Sequence, residues 1–305
     1  MKMLFGKLSE GNETYHIPVM VEEVMNFLNP CSPYTYLDCT LGTGGHSLEI
    51  LKRSSPNGKV IGIDKDEESI EIALKRLKEF EERFKVFCSD YREIFELPID
   101  FGEIKGVLID LGLSLYQLQK PERGFSFNID GPLDMRFSKK TELTAEKVLN
   151  RYRRDELIRI FREFGEVKSP QRLVDRIVEM RKKKPFKRTS ELKELIEKIY
   201  RWRPIKGKTH PAQKIFQAIR IEVNNELKGL DLFLEKLLMN LKPQSKVVVI
   251  SFHSLEDRIV KNTFKKLEKE GIGEILTKKP LTPSLKEIEM NPSSRSSKLR
   301  CIRRR

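Results

Sequence analysis

The stretch of this chain richest in chemistry is Asp38-Cys39-Thr40-Leu41-Gly42-Thr43-Gly44-Gly45-His46. A carboxylate closes the apolar, β-prone run over residues 34–37, three glycines follow, and Ser47-Leu48-Glu49-Ile50-Leu51 opens a helical pattern. Glycine suits such a bend because a backbone turning sharply beneath a ligand needs positive φ or freedom from a Cβ clash. A second carboxylate, Asp64, ends Lys59-Val60-Ile61-Gly62-Ile63 roughly 20 residues after the glycines, where an acidic side chain can accept from both hydroxyls of a ribose. Together these features point to a nucleoside-containing ligand. The structural alternative is a bare βαβ unit whose glycines only join strand to helix.

The charge around the bend bears on which ligand. A dinucleotide site holds a pyrophosphate at a helix N-terminus, and a carboxylate beside it would be repulsive. Asp38 suits a cationic ligand, and S-adenosylmethionine carries both a sulfonium and an ammonium. No Gly-Lys-Ser/Thr follows the glycines, which argues against a nucleoside triphosphatase. Two other classes stay open: a nicotinamide-dependent oxidoreductase, against which Asp38 argues, and a non-catalytic RNA-binding scaffold, against which the intact bend and Asp64 argue.

The elements that must position these groups follow in order. Val21-Glu22-Glu23-Val24-Met25-Asn26-Phe27-Leu28 has helical apolar spacing and is expected over the cofactor side of the first strand. Residues 67–80 predict a helix with Ile70, Ala73, Leu74 and Leu77 on one face. Phe84-Lys85-Val86-Phe87-Cys88 and Gly106-Val107-Leu108-Ile109-Asp110 give third and fourth strands, with Tyr91 and Asp110 at their carboxyl ends. Four strands separated by helices indicate an α/β, Rossmann-like, mostly parallel sheet. A loop region rich in glycine, aromatic and charged residues follows. From about residue 144 to 208 the pattern is helical, with Ser169-Pro170 as a cap, and reads as an inserted all-helical domain. From Pro211, the in-step residues Phe216, Ile219, Val223, Leu227 and Leu230 predict one longer helical region. Lys246-Val247-Val248-Val249-Ile250-Ser251-Phe252 returns the chain to the sheet, and residues 273–276 and 299–302 supply an antiparallel final pair. The expected boundaries are 1–138 and 209–305 for the sheet domain and 139–208 for the insertion.

At 305 residues, 38% hydrophobic and 34% charged, the chain can bury a sizeable core beneath a heavily charged exterior. No apolar run approaches the roughly 20 residues that span a bilayer, and the N-terminus lacks the apolar core of a signal peptide, so a cytoplasmic location is expected and no membrane partner. The net charge is +14, and residues 139–208 hold 23 Lys and Arg against 11 Asp and Glu, so most of the excess lies in one segment. A polyanion is its natural partner through counterion release; a solvated, lysine-rich helical surface is the alternative. Arg181-Lys182-Lys183-Lys184 also sits where a helix dipole favours cations. Cys31, Cys39, Cys88 and Cys301 form no Cys-x-x-Cys pair, so free thiols and no metal are expected.

With these segments in place the sequence resembles the 16S ribosomal RNA cytosine N4-methyltransferases, the small subunit methyltransferase H or MraW family. The matching stretches include His16-Ile17-Pro18-Val19-Met20, residues 38–46, Asp110-Leu111-Gly112 with Gln117-Leu118, Arg123-Gly124-Phe125-Ser126-Phe127, Gly131-Pro132-Leu133-Asp134-Met135-Arg136, Val223-Asn224-Asn225-Glu226-Leu227, residues 252–258 and 291–300. They run along nearly the whole chain. Leu115 and Tyr116 depart from the family pattern, as does Gln213-Lys214-Ile215, which stands where Thr-Arg-Thr is typical.

The resemblance implies a class I S-adenosylmethionine-dependent methyltransferase fold with a helical insertion after the fourth strand. It implies S-adenosyl-L-methionine bound by Gly44, Gly45, His46, Asp64, Tyr91, Asp110 and Gln117. Its substrate would be the exocyclic N4 of a cytosine in 16S rRNA within the small ribosomal subunit; a homodimer is compatible with this reading. The N4 lone pair is delocalised into the ring, so the enzyme must place it in line with the sulfonium methyl and accept a hydrogen bond from it, with the base flipped out of its stack. Asp110 is the candidate acceptor, with holding the cofactor as its competing role. His253 is a second candidate, against a plain loop-fixing role. Arg123, Phe125 and Arg136 are candidate base or phosphate contacts, against loop packing. Residues 293–298 are either a phosphate contact or an exposed connector.

Overall fold

An unbroken apolar run such as Val247-Val248-Val249-Ile250 suits a strand covered on both faces. In the computed structural model, which describes residues 8–10, 13–15, 17–204 and 209–305, that run lies in an interior strand of a seven-stranded sheet. His16, Lys206 and Lys208, which belong to stretches singled out above, lie outside the described residues.

A short antiparallel hairpin, β1 (Leu8–Glu10) and β2 (Glu13–Tyr15), precedes α1 (Val21–Leu28). The sheet is then built by β3 (Thr35–Asp38), α2 (Gly45–Arg53), β4 (Lys59–Asp64), α3 (Glu67–Arg76), β5 (Phe84–Cys88) and β6 (Ile104–Asp110). The helices α4 (Leu115–Gln119), α5 (Ala145–Arg151), α6 (Arg154–Glu163), α7 (Gln171–Lys183), α8 (Thr189–Tyr200) and α9 (Pro211–Asn224) come next. After α10 (Leu230–Asn240), the chain completes the sheet with β7 (Lys246–Ser251), α11 (Ser254–Lys269), β8 (Gly273–Ile275), α12 (Leu285–Met290) and β9 (Lys298–Arg304).

The strand order is β5-β4-β3-β6-β7-β9-β8, parallel except for β9, which runs antiparallel to both β7 and β8. This is the Rossmann-like α/β sheet expected, with its final antiparallel pair. Side-chain alternation sorts the helices into two layers. Leu37, Val107, Ile109, Val247 and Val249 face α10 and α11, whereas Tyr36, Leu108, Val248 and Ile250 face α1, α2 and α3. Strand order reverses between β3 and β6, and open α/β sheets bind ligands at the carboxyl ends of the strands at such a point.

The chain separates into two compact units, one running up to Gly112 and resuming with Leu227–Arg305, the other Leu113–Glu226. The second is wider than the segment 139–208 picked out by its charge. Its core takes in Phe125, Leu133, Met135 and Phe137 from the loop region and Ala212, Ile215, Phe216, Ile219 and Val223 from α9, apolar residues that charge counting overlooks. Among the described residues no helix is long and apolar enough to cross a membrane.

Several local expectations need correction. The passage from β5 to β6 contains no α-helix; it uses 3-10 turns, Tyr91–Glu96 and Phe101–Glu103, started by Asp90 and Asp100, whose side chains accept from Arg92 N and Gly102 N. The helix after β4 stops at Arg76, and Leu74 is 48% exposed rather than on the buried face. The region from Pro211 is two helices: Asn225, at φ 50°, ends α9, and Gly229, at φ 73°, precedes α10. Asn and Gly tolerate the left-handed conformation that stops a helix. Of the expected Ser169-Pro170 cap, Pro170 directly precedes α7 and no side-chain hydrogen bond closes the helix end. Helix α1 lies along β6, β7 and β9 rather than over the first strand.

Candidate active site

The turn after β3 is folded by its carboxylates and glycines together. Asp38 is buried at the strand tip, where Oδ2 accepts from Ser47 Oγ at 2.7 Å and Oδ1 from Thr40 N at 3.2 Å. It therefore ties β3 to the first turn of α2, and burial pushes its pKa up to about 6. The expectation that Asp38 faces a cationic ligand is corrected: both oxygens are turned inward. Gly42 and Gly44 have φ 50° and 77°, and a Cβ on Gly44 would meet Leu77 Cδ1 at 3.2 Å and Ala73 Cβ at 3.3 Å. Gly45 packs against the Pro18 ring, which a Cβ there would approach to 3.0 Å.

Asp64, at the end of β4, braces the same turn from the neighbouring strand. Its Oδ2 accepts from Gly42 N at 2.7 Å and its Oδ1 from Asp66 N at 2.9 Å. An ionised carboxylate has about four acceptor positions, so two remain for other donors. Burial raises its pKa, against the two backbone hydrogen bonds.

His46 is buried in the first turn of α2 and its Nε2 lies 2.9 Å from Val19 O. A carbonyl only accepts, so Nε2 carries the proton and Nδ1 keeps its lone pair. Burial lowers the His46 pKa to about 4, so the ring is neutral. His46 Nδ1 stands 3.7 Å from Asp110 Oδ2. Asp110 N donates to Thr40 Oγ1 at 2.6 Å, latching the tips of β3 and β6 together. Asp110 Oδ1 is buried and has no hydrogen-bond partner among the described residues, and burial, followed by the charges of Asp38 and Glu256, raises the Asp110 pKa well above the usual carboxylate range. A buried acceptor left unsatisfied is costly. A donor or cation at the switch point would relieve it, so the residues present fit the sulfonium- and ammonium-bearing S-adenosylmethionine.

The first unit thus gathers Gly44, Gly45, His46, Asp64 and Asp110 around the tips of β3, β4 and β6. Tyr91 opens the turn beyond β5, with its ring edge-on to Phe233 at 4.8 Å. Gln117 belongs to the second unit, where it completes a capping box with Ser114 on α4. Asp90, beside Tyr91, is joined by Arg92 at 2.6 Å and Lys65 at 3.3 Å, and although burial opposes it these cations hold its carboxyl below the usual range. Sequence reasoning missed Thr40, Ser47 and the Val19 carbonyl. A hydroxyl in a loop carries no mark of the strand tip it will bridge, and a carbonyl none at all.

The family model for the MraW methylase family matches residues 13–305. This chain belongs to that family. Proteins named ribosomal RNA small subunit methyltransferase H are 45% identical in Sulfurihydrogenibium azorense, over 95% of this chain and 99% of the relative, and 43% identical in Clostridium botulinum strain Loch Maree, over 96% and 99%. Among solved structures, an rRNA methylase from Streptococcus thermophilus matches with a TM-score of 0.43 at 10% identity, over 95% of this chain and 99% of its own. Assignment to the MraW methylases rests on the sequence match.

Several candidates in this MraW-family chain prove to be structural. Arg123 is buried and donates to the carbonyls of Arg136 and Phe137. Phe125 is buried and stacked on Phe137 at 5.6 Å, so its face is not open to a base. Arg136 grips Asp134 through two donors and the carbonyls of Lys139 and Thr141 with a third. His253 caps α11, accepting from Glu256 N. Ser294, in a 3-10 turn, and Ser297, just after it, are buried, Lys298 reaches Asp257 at 3.5 Å, and only Ser293, Arg295 and Ser296 of that connector are exposed. At the end of α7, Arg181 donates to Leu149 O and Lys184 pairs with Glu191, while Lys182 and Lys183 are exposed.

Proposed function

We propose that the protein is an S-adenosylmethionine-dependent ribosomal RNA methyltransferase that modifies the exocyclic N4 of a cytosine in 16S rRNA, within the small ribosomal subunit in the cytoplasm. The observation that carries this reading is near-complete alignment, at 43–46% identity, with proteins named ribosomal RNA small subunit methyltransferase H. Membership of a methylase family also removes the nicotinamide alternative.

When bound, S-adenosylmethionine supplies a methyl group made electrophilic by its sulfonium. The residues of this chain then have separate tasks. The bend at Gly44 and Gly45 lets backbone approach the ligand closely, and the two open acceptor positions of Asp64 receive the ribose hydroxyls. Asp110 offers Oδ1 to the positively charged end of the donor, and Tyr91 gives an apolar wall. The N4 amine is a poor nucleophile, so rate comes from holding it in line rather than from making it basic. Exposed Lys182 and Lys183, with the other cations of the second unit, attract the RNA phosphates.

The test is methyl transfer from labelled S-adenosylmethionine to small subunits purified from cells lacking the protein, followed by mass spectrometry of the nucleosides. N4-methylcytidine at one site is expected. Binding of the donor with no transfer would instead support the RNA-binding scaffold.

A further inference from the structure

The residues 17–20 touch the glycine bend twice. The Pro18 ring covers Gly45, and Val19 O accepts from His46 Nε2 at 2.9 Å. The same four residues are held from behind, at both ends, by the C-terminal part of the chain. Glu287, on α12, accepts from Met20 N at 2.7 Å, and Asn291, just past that helix, donates through Nδ2 to Ile17 O at 3.0 Å. Met20 has φ 54° and precedes α1 without a side-chain cap, so this amide relies on Glu287. Asn291 is buried, and because Ile17 O only accepts, its Nδ2 must face that carbonyl, which leaves Oδ1 to accept from Ser293 Oγ.

We propose that Glu287 and Asn291 are positioning residues for the methyl-donor site, clamping residues 17–20 so that Val19 O fixes the tautomer of His46. The inference rests on the reading of the glycine bend as that site. Their hydrogen bonds go to Met20 N and Ile17 O rather than to the bend itself. They act through the backbone they hold, and His46 passes the constraint to Asp110, whose Oδ2 its Nδ1 faces at 3.7 Å. With the clamp closed, His46 Nδ1 can only accept. With the clamp open, the ring is free to turn or to move its proton to Nδ1, which would place a donor against Asp110 and remove the acceptor character there. Glu287 acts as an acceptor, so glutamine serves in its place while alanine does not.

The test uses the full chain with S-adenosylhomocysteine as the calorimetric ligand and long-range proton–nitrogen spectra of His46. Losing one part-buried hydrogen bond of this kind corresponds to roughly a tenfold change in an equilibrium. Glu287→Ala is expected to weaken the ligand about tenfold and to bring the Nδ1–H tautomer of His46 into the spectrum. Glu287→Gln should match the parent in both. Leu285→Ala, on the exposed side of the same helix, should change neither. If Glu287→Ala does not fold, Asn291→Asp, which accepts but cannot donate to Ile17 O, carries the same expectation. A parent-like His46 spectrum in Glu287→Ala or Asn291→Asp overturns the clamp, as does a glutamine variant as impaired as the alanine one. Failure of the parent itself to bind the ligand would instead overturn the reading of the bend, and the spectra would still decide the clamp.

Discussion

Thr40 Oγ1 accepts the backbone N–H of Asp110 at 2.6 Å, joining the tips of two neighbouring strands, β3 and β6, at the place where strand order reverses. Neither strand's ladder supplies that bond. Thr40→Val keeps the shape and removes the acceptor, so an amide beside the site loses its partner at about 1–2 kcal/mol. Thr40→Ser keeps it. Denaturant unfolding should show the loss for valine and not for serine, with S-adenosylhomocysteine affinity falling in the same variant; equal stability in both would mean the latch is unimportant.

Asp64 has two jobs to separate. It braces Gly42 N and Asp66 N, and its remaining acceptor positions are assigned to ribose hydroxyls. Asp64→Ala removes both and should reduce ligand affinity by more than about tenfold in calorimetry. A variant that binds as tightly as the parent would remove the ribose assignment.

Two buried groups give opposite pH dependences. His46 titrates near 4 in the fold against an ordinary 6.5, so the unfolded chain takes its proton first. Its contribution to stability is full above about 6.5 and is lost as the pH falls through about 4. Asp38 titrates near 6 against an ordinary 3.8, so its contribution is full below 3.8 and is lost as the pH rises through about 6. Urea unfolding between about pH 4 and 7 tests both signs. The stability of the parent relative to His46→Gln should rise with pH, and relative to Asp38→Asn it should fall. Flat differences would mean that neither group is shifted.

Much of this was legible in the sequence because the signals are local. Strands ending in Asp38, Asp64 and Asp110 announce themselves by an apolar run closed by a carboxylate, and a glycine bend needs its glycines in place. The direction in which a carboxylate turns is a different matter. Asp38 and Asp110 look alike in sequence, yet Ser47 and Thr40 N take up the oxygens of one while Oδ1 of the other is left without a partner among the described residues. The charge of Arg123 and Arg136 allows either base or phosphate contacts or loop packing, and the fold takes the second, because a guanidinium has five donors and a loop has many carbonyls to satisfy. Asn224 shows the same limit. Its side chain accepts from Phe137 N at 2.7 Å and donates to Met135 O at 2.8 Å, fastening the loop region to α9 across 87 residues of chain, a link no spacing rule reveals.

Asp110 carries the last test, because holding the donor and receiving a proton from N4 make different demands on the same side chain. Asp110→Asn keeps the size and one acceptor but loses the charge. If Asp110 holds the donor, as the unpartnered buried Oδ1 favours, S-adenosylmethionine should bind about tenfold or more weakly. Turnover at saturating donor would then change little, since the in-line geometry is restored once the site is filled. If Asp110 instead takes the amine proton, kcat should fall by about a hundredfold or more with KM for the donor unaltered. The expected result is the first, with KM for the donor rising and kcat nearly preserved; a loss confined to kcat would move Asp110 from the donor site to the chemical step.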